Sequence, residues 1–307
     1  MIMKSYKNTN IRKKHYYGVI AIGNFDGLHL GHQKVINEAK ERAKKNKLPF
    51  GLMTFEPVPV MFFNKNTKNH RINSLHQKKS QLKKFGLDFL IIIRFNKSFS
   101  SLSAKDFIEK IISKKTKCRY LYVSRNFKFG FKRKGNIKTL KKFEKQFNYK
   151  NVITKPYKKN SKTISSTFIR KKIKEGKINL VNKLLNREWS IEGKVIKGKK
   201  RGRKIGFPTC NLKLNNYVIP QSGVYAVKVN GNNFAKKGIA NIGFRPTFNG
   251  QSLLLETNIF GINKNLYNKV INVSFKKFIR AEKKFKNFEY LKKQIKLDIK
   301  QAKNKNV

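Results

Sequence analysis

The chain has 307 residues, with 73 Lys plus Arg against 15 Asp plus Glu, a net charge of +58 and a hydrophobic fraction of 39%. That length suits one large domain or two ordinary ones. It holds no apolar run of about eighteen residues that would predict a membrane-spanning helix, and its opening MIMKSYKNTNIRKKHYYG lacks the apolar core of a secretory signal. Two cysteines, Cys118 and Cys210, lie far apart in apolar stretches. They predict reduced core thiols of a cytosolic protein rather than a metal site. The charge has two readings. A nucleic-acid or membrane surface would attract it. Alternatively, Lys, Asn, Ile and Phe have displaced Arg, Asp, Ala and Leu by compositional drift. Lysines fall in every segment instead of one patch with interleaved aromatics, so drift is favoured.

In chain order, Val19–Ile22 stops at Gly23 and predicts a buried strand. Val35, Ile36, Ala39 and Ala43 fall at helical spacing and predict a helix over Gln33–Lys45. Phe50–Phe55 predicts a second strand, and Ser74 opens a helix through Phe85 that Gly86 closes. Phe89–Phe95 predicts a third strand. Ser103 with Asp106 three residues on is a capping-box pattern for a helix running through Ile112. Tyr120–Val123 and Val152–Thr154 predict further strands, and Ser165 or Ser166 caps a helix that ends at Gly176. Strands alternating with helices imply a parallel sheet covered on both faces. From Trp189 the pattern becomes short alternating runs (SIEGKVI, TCNLKL, GVYAVKV, KGIANI, LLLETNIF, VINVSF) and then one helix, Phe288–Ala302. That pattern predicts a small antiparallel barrel with a terminal helix. Two domains, 1–184 and 185–307, follow, joined without a flexible linker.

Two stretches carry chemistry. GNFDGLHLGHQ places Gly23, Gly27, Gly31, His29 and His32 between a strand end and a helix start, where free N–H groups and the helix dipole favour an anion. The histidines can donate to a phosphoryl oxygen and hold charge as a transition state builds negative charge; the alternative is a structural pair. ISSTFIR puts Ser165, Ser166 and Thr167 at a second helix start, with Arg170 one turn on. Alone it is a common cap; beside the first stretch it suggests a triphosphate gripped from two sides. Farther on, KGKKRGRKIGFPTCNLKL has Gly198, Gly202 and Gly206 in a basic loop that either wraps phosphates or is simply solvated. After it, Thr209 and Asn211 fall on one side of a strand and offer two oxygens to Mg²⁺. Glu256, among apolar neighbours, is either paired with a lysine or a general base.

GNFDGLHLGHQ with ISSTFIR resembles the nucleotidylyltransferases. With MTFEPVP, FNKSFSSLSAKDFI and VSRNFKFGFKRKGN, the chain over about 17–185 is similar to the FMN adenylyltransferase module of bifunctional riboflavin kinase/FAD synthetases. The PTCN of the basic loop, then GVYAV, NIGFRPTF and LLLETNIF, resembles the riboflavin kinase module over about 185–305. The resemblance implies a Rossmann-like α/β nucleotidylyltransferase domain followed by a six-stranded β-barrel. It implies riboflavin, FMN and ATP as substrates, FMN and FAD as products, and Mg²⁺ as the metal at Thr209 and Asn211. It implies catalytic roles for His29, His32, Asn126, Arg170 and Glu256. Nucleotide or flavin binding would fall to Gly23, Asn24, Phe25, Asp26, Gly31, Ser165, Ser166, Thr167, Gly198, Gly202, Arg203, Gly206, Phe207, Pro208 and Arg280. Two departures stand out: Ser124 and Arg125 where the family has glycine and an acidic or polar residue, and Cys210 where it has alanine. The implied protein is cytoplasmic, a monomer or weak homo-oligomer, with no membrane and no specific nucleic-acid partner. The competing readings are an adenylyltransferase for another small molecule and a basic nucleic-acid-binding protein.

Overall fold

The computed structural model describes residues 3–64, 67, 69–159, 161–198, 201–214, 216–247, 250–262 and 264–304. The chain divides into two compact units, Met1–Thr67 with Leu75–Ser165, and Lys68–Ser74 with Ser166–Val307.

The first unit is built on six strands: β1 (Lys4–Tyr6), β2 (Val19–Ile22), β3 (Phe50–Glu56), β4 (Phe89–Arg94), β5 (Tyr120–Ser124) and β6 (Lys150–Thr154). They pair in the order β1-β4-β3-β2-β5-β6, every pair parallel. β2, β3 and β4 are buried almost end to end, which is why they read as unbroken apolar runs. Side chains alternate between the faces. Ile20, Ile22, Met53, Ile91 and Val123 join one core with Phe107, Ile108, Ile111 and Ile112. Val19, Ala21, Leu52, Leu90 and Tyr122 join the other with Val35, Ile36 and Ala39. The sheet is thus covered on both faces, as expected. The strand order reverses at β2, with β3 on one side and β5 on the other. Ligands of open α/β sheets sit in the crevice at the carboxyl ends of strands at such a switch point.

Two expectations need correction, and one strand lies outside them. The helix after β2 is Leu30–Lys45, three residues longer at its start than predicted, because His29 caps it. Ser103 does cap a turn, accepting from the Asp106 N–H at 3.0 Å. The following Phe107–Lys115, however, is a π-helix, closed by a bond from the Thr116 N–H to the Ile111 carbonyl. β1 was not predicted, since KSY at an edge carries no alternation. A short hairpin, β7 (Lys158–Lys159) with β8 (Lys162–Thr163), precedes the second unit.

In the second unit, helices Ser166–Lys174 and Ile178–Leu185 lead into six strands: β9 (Ser190–Ile196), β10 (Cys210–Lys213), β11 (Gly223–Gly231), β12 (Phe234–Thr247), β13 (Gly250–Ile259) and β14 (Val270–Ala281). They close an antiparallel barrel in the order β10-β13-β12-β11-β14-β9. β11 is buried on both faces. Val224 and Ala226 pack with Ile295 and Ile299 of the terminal helix Phe288–Lys303, while Tyr225 meets Phe275 edge-on. The segment 68–74 belongs to this unit: the Arg71 N–H donates to the Asn216 carbonyl and the Val218 N–H to the Arg71 carbonyl, and the Trp189 indole N–H donates to the Ile72 carbonyl at 2.8 Å.

Candidate active sites

In the first unit, the chain leaves β2 at Gly23 and turns through Phe25, Gly27 and Leu28, all with positive φ (46°, 87° and 45°). The turn delivers His29 to the N-cap of helix Leu30–Lys45, 4% exposed. Its Nδ1 accepts from the His32 N–H at 3.3 Å. In neutral form His29 therefore carries its proton on Nε2, a donor aimed away from the cap. The two imidazoles stack 3.7 Å apart at 21°, and Phe25 meets His32 edge-on. A Cβ at Gly31 would lie 3.1 Å from the His29 ring and 3.2 Å from the Ile164 carbonyl. Glycine is what lets the chain entering the second motif, Ile164–Ser165, approach the histidine. Asp26, 2% exposed, is buried in the same turn, whereas Asn24 is exposed.

Asn126 is exposed and lies two residues past β5, the strand beside β2, so it falls at the same switch point. Ser124 ends β5 and is not among the residues with positive φ, so this position does not call for glycine conformations. Ser165 immediately precedes helix Ser166–Lys174. Ser166, Thr167 and Arg170 fall in the second unit, where Arg170 Nε donates to the His70 carbonyl at 2.7 Å.

In the second unit, β10, β13 and β12 set Asn211, Glu256 and Asn241 level with one another across three strands. Glu256 and Asn241 line a cavity of about 410 Å³ together with Thr209, Phe207, Asn258 and Arg280. Asn211 is 5% exposed, and its Oδ1 meets no hydrogen-bond donor among the described residues. The glycine loop packs on this row. A Cβ at Gly198 would come within 2.2 Å of Asn211 Nδ2, and one at Gly202 within 2.4 Å of the Phe207 carbonyl. In the described part of the loop Arg201–Lys204 forms a helical turn, Arg203 is exposed, and Gly206 follows at φ 87°. Lys199, Lys200 and the Phe248 of NIGFRPTF lie outside the described residues. The Pro208 carbonyl accepts from Asn258 Nδ2 at 2.7 Å. Arg280 reaches the cavity from β14 while its guanidinium grips Asp298 of the terminal helix at 2.8 to 3.1 Å. Burial pushes the Cys210 thiol up to about 11 and the Cys118 thiol up to about 12.

No group of three or more His, Cys, Asp or Glu able to hold a metal is present among the described residues. The buried, unbonded Asn211 Oδ1 with the neighbouring Thr209 hydroxyl nevertheless suits a hard cation that takes oxygen ligands and completes its shell with phosphate and water. Sequence reasoning missed Asn241 and Asp298, because neither strand register nor helix docking is written in local pattern.

A parallel sheet with stacked histidines at its switch point, and a closed barrel with a polar row under a glycine loop, define a two-site nucleotide-dependent transferase. The FAD synthetase family model matches residues 11–168 and the riboflavin kinase model residues 185–306. Bifunctional riboflavin kinase/FMN adenylyltransferases are similar over nearly the full length. The one from Buchnera aphidicola of Schizaphis graminum is 42% identical over 94% of this chain and 94% of its own. That of Bacillus subtilis is 38% identical over 95% and 93%, and that of Escherichia coli K12 is 35% identical over 91% and 90%. A crystal structure from Streptococcus pneumoniae, described as a macrolide-efflux protein, superposes with a TM-score of 0.87 at 30% identity over 99% of both chains. In the present chain no described helix is long and apolar enough to cross a membrane. The chain belongs to the bifunctional riboflavin kinase/FMN adenylyltransferase family, an enzyme family with a kinase and an FAD synthetase in one polypeptide.

Proposed function

We propose that the chain makes FMN in its barrel and FAD at its sheet, with the functional division at 184/185 and the residue roles that follow. In the barrel, the riboflavin 5′-hydroxyl attacks the γ-phosphorus of ATP, Glu256 accepts the hydroxyl proton, and ADP leaves. Gly198, Gly202, Arg203, Gly206, Phe207 and Pro208 shape the phosphate loop, and Arg280 borders the flavin. Thr209 and Asn211 would hold Mg²⁺, which when bound supplies charge neutralisation on the phosphate oxygens. At the sheet, an FMN phosphate oxygen attacks the α-phosphorus of a second ATP and pyrophosphate leaves, so catalysis is positioning plus charge stabilisation. His29 and His32 donate to the α/β phosphates, and Ser165, Ser166, Thr167 and Arg170 hold the β/γ phosphates. Asn126 orients the FMN phosphate. Gly23, Asn24, Phe25, Asp26 and Gly31 form the turn against which the nucleotide lies. In this reading the protein works in the cytoplasm on small molecules, as a monomer or weak homo-oligomer, without a membrane or specific nucleic-acid partner.

The observation that carries the reading is the capped, stacked His29–His32 pair at the carboxyl end of the central strand. The test is to incubate purified protein with riboflavin, ATP and Mg²⁺ and separate the flavins. FMN and then FAD accumulate, and chelating the metal stops both. His29→Ala keeps FMN production and loses FAD; Glu256→Ala loses FMN production and still converts supplied FMN. A variant that abolished both steps equally would overturn the assignment of its residue.

A further inference from the structure

Helix Leu75–Lys83 carries a lysine, Lys78, with only 1% of its surface exposed. Burying an ammonium is costly, so its surroundings must return something for it. Its Nζ donates to the Asn24 carbonyl at 2.8 Å and lies 3.5 Å from Thr54 Oγ1. The Thr54 hydroxyl donates to that same carbonyl at 3.1 Å. Two donors from two elements therefore hold one backbone oxygen of the turn that leads to His29.

The Asn24 carbonyl and the Phe25 N–H are the two ends of one trans peptide and point in opposite directions. Pinning the oxygen toward Lys78 and Thr54 aims the N–H the other way. Phe25 is 1% exposed and sits at φ 46°, and its N–H donates to no acceptor among the described residues. A buried backbone donor without an acceptor is rare enough to ask what completes it.

We infer that Lys78 is a positioning residue for FMN adenylylation, fixing the 24–25 peptide so that the Phe25 N–H is presented to a phosphoryl oxygen of ATP. This rests on the adenylyltransferase reading of the turn. Lys78 touches no reacting atom; it acts through the peptide it holds.

The test is steady-state kinetics of both half-reactions in the full chain. Lys78→Met keeps the length of the side chain and removes the donor and the charge. It raises the KM for ATP in FAD formation by about tenfold or more while the KM for FMN moves by less than about twofold, because only nucleotide contacts are lost. Phosphorylation of riboflavin by the same protein is unchanged. A merely structural lysine would lower the fraction of active enzyme, so that kcat fell and both KM values held; that result overturns the inference, as does a uniform rise in both. If Lys78→Met yields no measurable FAD, Thr54→Val decides. It keeps the lysine, removes the second donor, and raises the ATP KM in the same direction by a smaller factor; an unchanged ATP KM overturns the inference. Wild-type protein that formed FMN but no FAD would instead overturn the adenylyltransferase reading itself, and the inference with it.

Discussion

Gly31 shows how much a single missing side chain can do. Its absent Cβ leaves room for the His29 imidazole on one side and the Ile164 carbonyl on the other, at 3.1 and 3.2 Å from where that atom would stand. The carbonyl is backbone and gives little, so an alanine there pushes the ring, and the ring is stacked on His32 at 3.7 Å. Displacing a catalytic group by about 1 Å can cost about a hundredfold in rate. Gly31→Ala is therefore expected to cut FAD formation from supplied FMN by tenfold to about a hundredfold. FMN formation from riboflavin stays at the wild-type rate, and both rates come from one flavin chromatogram. At this scale the sequence singles out candidates by residue type: two of five histidines three apart, a lone glutamate among leucines, three spaced glycines. It was silent where a role depends on a partner far along the chain. Nothing near Lys78 announces that its ammonium ends on the Asn24 carbonyl, 54 positions away.

Elements were legible where one periodicity ruled and obscure where two surfaces competed. The central parallel strands appear as apolar runs because both faces are covered. The barrel strands appear as alternating runs because one face usually meets solvent, although the burial of β11 does not alternate where the terminal helix covers it. The capping box at Ser103 gave the start of its element but not its pitch, since a cap signals the first turn only. The terminal helix was expected from its own pattern, but its attachment was not. Asp298 is 1% exposed and takes two donors of Arg280 and the Gln294 amide. This bidentate pair, its carboxylate buried and its guanidinium half-buried, ties helix Phe288–Lys303 to β14, and breaking it costs more than a surface pair contributes. Asp298→Asn leaves the half-buried guanidinium beside a neutral amide, with an expected loss of about 2 kcal/mol, between the surface and fully buried cases, in urea unfolding of the barrel unit. Because Arg280 also lines the cavity, the same variant raises the KM for riboflavin while FMN adenylylation holds its KM for FMN. An unchanged unfolding midpoint would mean that the helix is held by its apolar face alone.

At the scale of the whole molecule the charge dominates. With 73 cationic side chains and 15 acidic ones, most cations can have no acid to meet, and folding gathers like charges into a smaller volume than the unfolded chain occupies. Self-repulsion then weighs more on the compact state than on the open one. Salt shortens the reach of that repulsion, from a Debye length of about 30 Å at 0.01 M to about 10 Å at 0.1 M. The sign follows: the melting temperature rises with ionic strength, opposite to a protein whose surface is balanced by ion pairs that salt weakens. Between about 0.02 and 0.5 M sodium chloride the expected rise is about 5 °C or more, corresponding to about 2 kcal/mol or more at the midpoint for units of this size. Choline chloride should give the same curve at equal ionic strength, since screening by a common anion does not depend on the cation. A flat or falling melting temperature would show that the lysines are spaced widely enough, or paired well enough with the few acids, for the fold to carry its charge without strain. The compositional reading of the lysines would stand even then, because it rests on their spread along the chain and not on their energetic cost.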